Sequence, residues 1–167
     1  MNDTLGHAAG DAVLKTVAHN LRLALRETDM IVRWGGEEFL VFVPAVAHDG
    51  LDEVALRILH GISSHAAEHR GTVVPVSVSV GFAPFPLALG ATALTWEQVV
   101  NLADMALYRA KARGRNCACG VLGFPDGAPA TLEPIERDLE EAWRQGWVDL
   151  SVVPGDVEYA MPVRSRA

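Results

Sequence analysis

Met30-Ile31-Val32-Arg33 and Leu40-Val41-Phe42-Val43 are two strand-forming runs joined by Trp34 and the string Gly35-Gly36-Glu37-Glu38-Phe39. So short a connection dictates an antiparallel hairpin, because parallel strands need a crossover of about a dozen residues or more. Glycine reaches φ > 0 and has no Cβ, so Gly35 and Gly36 are expected both to make the turn and to let a bulky anion approach the main chain. Glu37 and Glu38 add two carboxylates, followed at once by apolar Phe39 and Leu40. Hard oxygen ligands beside a phosphate-sized gap point to a divalent cation, Mg²⁺ by availability, with Mn²⁺ as the other candidate. An ordinary solvated acidic turn competes with this reading, and the surrounding residues decide between them.

Val13, Leu14, Val17, Ala18 and Leu21 recur at helical spacing and predict an amphipathic helix from Asp11 to about Leu25. Leu51, Val54, Ala55, Ile58, Leu59 and Ile62 predict a second, from Asp49 to about His69. Val76, Val78 and Val80 alternate with Ser77 and Ser79, which predicts a half-buried strand over Val73 to Phe82 in which Gly81 allows a close neighbour. Phe82 to Leu94 reads as a loop, and Thr95 as the N-cap of a helix that stops near Gly114. A strand from Cys117 to Leu122 is expected to follow. Residues 123–132 read as a linker, and 133–167 as a separate tail with a helical stretch from Pro134 to Trp147 and a strand-like run from Val148 to Pro154. Helices flanking a hairpin and further strands indicate an α+β fold with a single antiparallel-type sheet.

The chain has 167 residues, half of them hydrophobic, enough for one domain with a real core. A net charge of −7 argues against DNA or RNA as partner, since no positive field displaces phosphate counterions. Cys117 and Cys119 are too close for an ordinary disulfide and lack C-x-x-C spacing, so they read as free thiols of a reducing, cytoplasmic compartment. No membrane segment is expected, because no apolar run approaches about 18 residues. The histidines, including His7, show no spacing suited to metal binding.

Asn2-Asp3-Thr4-Leu5-Gly6-His7, Gly10-Asp11, Arg33-Trp34-Gly35-Gly36-Glu37-Glu38-Phe39, Ser77-Val78-Ser79-Val80-Gly81, Ala103-Asp104-Met105-Ala106-Leu107-Tyr108 and Ala110-Lys111-Ala112-Arg113-Gly114-Arg115-Asn116 occur in this order over residues 1–122. In order and spacing they resemble the GGDEF domain family of diguanylate cyclases. The resemblance implies a palm-like, ferredoxin-like βαββαβ core. It also implies condensation of two GTP molecules into cyclic di-GMP with release of pyrophosphate, in a homodimer whose subunits each present one GTP. It assigns Glu37 and Glu38 to metal and catalysis, Gly35 and Gly36 to the triphosphate, and Asn2 and Asp11 to the guanine edge. Lys111 and Arg115, four apart and on one helical face if the helix extends that far, would hold the terminal phosphates. Arg26 and Asp29 form an R-x-x-D that matches the family's product-inhibition site.

Members of the family carry, before the Asn-Asp pair, a hydrophobic strand with a metal-binding aspartate. Met1 stands where that segment would end, so the expectation is a domain without its first strand, with half a metal site and little cyclase activity of its own. The tail faintly resembles the opening of an EAL domain and is expected to be either a remnant of one or an accessory helix and strand that partly fills the gap. The alternative to an enzyme is a non-catalytic module that binds GTP or cyclic di-GMP.

Overall fold

The computed structural model describes residues 7–69 and 71–155, with the backbone alone at 7–9 and 69. Helix α1 (His7–Ala24) leads into a hairpin of β1 (Met30–Arg33) and β2 (Phe39–Phe42), and a 3₁₀ turn (His48–Gly50) opens α2 (Leu51–Ser63). Strands β3 (Ala67–His69), β4 (Thr72–Val74), β5 (Val80–Phe82), β6 (Ala88–Leu89) and β7 (Thr92–Ala93) precede α3 (Trp96–Ala112) and β8 (Cys117–Gly123). Two short helices, α4 (Glu133–Arg137) and α5 (Leu139–Arg144), and β9 (Asp149–Pro154) complete the described chain.

Val13, Val17 and Leu21 bury one face of α1 against Ile58 and Ile62 of α2, and Phe39, Ile31 and Val41 of the hairpin pack on the same cluster. The two helices lie close: a Cβ on Gly61 would stand 3.0 Å from Ala24 Cβ. Arg57 Nε donates to the Ala24 carbonyl at 2.6 Å, satisfying an acceptor that the helix end leaves open. A second cluster gathers Leu102, Ala106 and Ala110 of α3, Cys119 and Val121 of β8, and Leu132, Ile135, Leu139 and Ala142. Gly81 is where the layers touch, since a Cβ there would run into the main chain of Ala103 and Leu107. The close approach expected at Gly81 is that of α3.

The α+β class holds, but the expected single sheet is instead four small ones among the described residues. The hairpin stands as its own pair, with Met30 opposite Phe42 and Arg33 opposite Phe39. β5 pairs parallel with β8, and β9 pairs antiparallel with the other edge of β8. The second helix stops at Ser63 rather than near His69, and Ala67–His69 turns back on β4, with Gly71 at φ 76° in the turn. The strand expected from Val73 to Phe82 is interrupted: residues 75–79 lie between β4 and β5 without ladder bonds. The tail helix breaks at Asp138, whose φ of −155° is extended and whose carboxylate caps α5 through the Glu141 amide.

Among the described residues the tail strand pairs with β8 and not with the hairpin. β9 completes the β8 edge, and the residues expected as a linker carry Phe124, Ala128 and buried Leu132 into the α3 cluster.

Candidate active site

The hairpin tip is closed by its own polar groups. The amides of Trp34 and Gly35 both donate to the Glu38 carbonyl, at 2.9 and 3.3 Å. Arg33 reaches over the turn, its Nη2 donating to Gly36 O at 2.5 Å and its Nε to Gly35 O at 3.4 Å. Neither tip glycine has a positive φ, so the expected conformational reason for the Gly-Gly pair does not apply. Space does: a Cβ on Gly36 would meet nothing within 4 Å, and one on Gly35 would meet only Glu38, with Oε2 at 3.6 Å. The space beside Gly36 is open, while the Gly35 amide and both glycine carbonyls are engaged by Glu38 and Arg33.

Glu37 is exposed and Glu38 half-buried. Lys111, in the last turn of α3, places Nζ 2.9 Å from Glu38 Oε1, both side chains being about two-fifths exposed. The acidic tip and the basic helix end are therefore in direct contact. Arg115 does not share a helical face with Lys111, because α3 ends at Ala112. Gly114, Arg115 and Asn116 take φ values of 107°, 66° and 46°, a tight reversal in which the Arg115 amide donates to Ala110 O at 3.2 Å. Asp11 is exposed on α1. Asn2 lies outside the described residues.

Among the described residues no cluster of three or more His, Cys, Asp or Glu could hold a metal ion. The donor chemistry nevertheless fits a cation shared with a ligand, because Mg²⁺ is commonly held by one or two carboxylates together with substrate phosphates. Glu37 and Glu38 supply that number, beside the open space at Gly36 and a lysine.

Arg26 and Asp29 occupy the bend between α1 and β1. Asp29 is 2 % exposed, and its Oδ2 accepts from the Arg26 amide at 2.7 Å. Its Oδ1 is buried with no hydrogen-bond partner among the described residues. Arg22 Nη1 donates to the Asp29 carbonyl at 3.2 Å, and the Arg26 side chain is exposed. The contact is thus a backbone cap rather than an ion pair.

Sequence reasoning passed over Arg33 and Arg109. Arg33 stood inside the quoted motif, but its part in holding the tip depends on hairpin geometry. Arg109 falls between two of the motifs, which assign it no role, yet it is 6 % exposed and meets Glu140 from the tail.

The family described as "Diguanylate cyclase, GGDEF domain" matches residues 1–117. Diguanylate cyclase DgcP of Pseudomonas aeruginosa PAO1 is 40 % identical over 116 residues, covering 70 % of this chain but 16 % of the relative's length. Diguanylate cyclase SiaD from Pseudomonas aeruginosa, solved with its activator SiaC, is 37 % identical with a TM-score of 0.62, over 69 % of this chain and 42 % of that one. The GGDEF domain of DgcB from Caulobacter crescentus, solved with c-di-GMP, is 33 % identical with a TM-score of 0.60, over 69 % and 66 %. Among the described residues no helix is long and apolar enough to cross a membrane. On the motif order, the fold and these matches, the chain belongs to the GGDEF domain family of diguanylate cyclases.

Proposed function

We propose that this domain condenses two GTP molecules into cyclic di-GMP and pyrophosphate, as one half of a homodimer in the cytoplasm, where GTP is available. The observation that carries the reading is the contact between Lys111 and Glu38, which joins a phosphate-binding cation to a metal-binding acid across 73 positions of chain. A divalent cation, Mg²⁺ or Mn²⁺, would supply charge neutralisation on the triphosphate and activation of the attacking 3′-hydroxyl. Glu37 and Glu38 would hold it. The space left by the missing Cβ atoms of Gly35 and Gly36 gives room for the phosphates, and Lys111 and Arg115 bind their terminal oxygens. Asp11 and Asn2 are assigned to the guanine edge, where a carboxylate accepts the N1 and N2 hydrogens that adenine lacks. Arg26 and Asp29 are assigned to product binding: the exposed Arg26 side chain is placed to stack on a guanine, and Asp29 shapes the bend beneath it by capping the Arg26 amide.

Turnover by residues 1–167 alone is expected to be slow, since the tip offers two carboxylates and, among the described residues, no cluster of three or more metal-ligating side chains forms around them. The same shortage of ligands favours, as a second reading, a module that binds GTP without converting it. Incubating the purified chain with GTP and Mg²⁺ separates the two. Cyclic di-GMP that accumulates slowly and disappears in Glu38→Gln supports the cyclase, whereas saturable GTP binding with no product supports the module. Absence of both binding and product would overturn each.

A further inference from the structure

We infer that residues 133–155 form a positioning clamp for the phosphate-binding residues Lys111 and Arg115, setting nucleotide affinity without touching nucleotide. The inference rests on the assignment of Lys111 and Arg115 to the triphosphate. Lys111 and Arg109 are two apart in α3, so their side chains leave the helix about 200° from each other. Lys111 faces the hairpin and Arg109 faces the tail. Arg109 is buried, its Nη1 pairs with Glu140 Oε2, and its guanidinium lies 4.5 Å over the ring of Trp143. Its Nε and Nη2 are buried with no hydrogen-bond partner among the described residues. A buried cation compensated chiefly by one carboxylate and one ring, with the weakly accepting Cys119 sulfur beside it, is poorly held when they leave, and the helix turn that carries it is drawn toward water.

The clamp also grips the far side of the site. The Gly155 amide, just past β9, donates to Asn116 O at 3.0 Å, and a Cβ on Gly155 would collide with Asn116. That bond anchors a reversal in which Arg115 and Asn116 adopt left-handed backbone angles, which asparagine tolerates but a residue such as arginine rarely keeps without support. Further along α3, Asn101 Nδ2 donates to Glu136 Oε1 at 3.0 Å. Tail contacts therefore bracket the segment from Arg109 to Asn116, and neither Arg109 nor Glu140 belongs to the nucleotide contacts.

The test is binding of a non-hydrolysable GTP analogue with Mg²⁺ to the whole chain, measured by calorimetry, with thermal melting as a check of folding. Glu140→Ala and Trp143→Leu are expected to weaken binding about fivefold, as for coupled neighbours. Glu140→Gln, which keeps an acceptor and the packing, is expected to restore part of it. In a Lys111→Ala, Arg115→Ala background, Glu140→Ala is expected to add no further loss, which distinguishes positioning from general destabilisation. Folded Glu140→Ala, Glu140→Gln and Trp143→Leu proteins that bind like the parent, while Lys111→Ala binds weakly, would overturn the clamp and leave the site assignment standing. A Lys111→Ala, Arg115→Ala chain that binds like the parent would remove the site assignment and the clamp with it.

Discussion

Lys111 and Glu38 meet at 2.9 Å, and this one contact ties the end of α3 to the tip of the β1–β2 hairpin. Both partners are about two-fifths exposed, so water screens the pair and its contribution to folding is about 1 kcal/mol at most. On the proposed function, its value lies in holding a cation beside the main chain assigned to the triphosphate. Lys111→Ala is expected to leave the urea midpoint nearly unchanged while GTP affinity falls about tenfold or more, the scale of a lost charge-assisted hydrogen bond. Calorimetric titration beside urea denaturation checks both halves, and a large loss of stability with unchanged affinity would make the pair structural only.

Local rules made much of the molecule legible. The hairpin follows from a connection too short for anything else, and the start of α3 from Thr95, whose Oγ1 accepts from the Gln98 amide while Gln98 Oε1 accepts from the Thr95 amide. β3 was hidden because Ala67-Glu68-His69 carries no alternation of its own and is a strand only through its pairing with β4. The union of tail and domain was hidden for the same kind of reason. Glycine and proline between Gly123 and Pro129 imitate a linker, while the contacts that cancel that impression, β9 on β8 and Glu140 on Arg109, span some thirty positions that no periodicity encodes. In the site, residue types were readable but not their partners. That Lys111 finds Glu38, and that Arg115 stands in a reversal past the helix end, depends on where α3 stops.

Gly81 is expected to tolerate no side chain. Its missing Cβ is the space into which the main chain of Ala103 and Leu107 fits, and backbone cannot rotate away as a flexible side chain does. Gly81→Ala should destabilise the domain by about 3 kcal/mol or more, at or beyond the upper end of overpacking costs, read as a lowered urea midpoint. A loss below about 1 kcal/mol would mean that α3 is not seated on β5.

Ile135 tests whether the tail folds with the rest. Its side chain is fully buried in the cluster that holds Leu102 and Ala106 of α3. Ile135→Ala should cost about 2–5 kcal/mol, the range for truncating a buried aliphatic side chain, and should lower the midpoint of one cooperative transition. An unchanged midpoint for the domain, with a separate early transition for the tail, would show that residues beyond Gly123 fold independently.

Cys119 gives the domain a pH dependence on the alkaline side. Burial, reinforced by neighbouring Cys117, pushes its thiol up, against the opposing pull of Arg109 and Arg113. A group held protonated in the fold contributes its full stability below its unfolded pKa, about 8.5 for a cysteine, and loses it as pH rises toward the folded value, because the unfolded chain ionises first. The urea midpoint is therefore expected to be flat through neutral pH and to fall above about pH 8.5. Cys119→Ala should make that fall shallower while lowering the midpoint at every pH through the cavity left beside Val121. The measurement is a series of urea titrations of both proteins across the alkaline range, and parallel declines would assign the pH dependence to other groups.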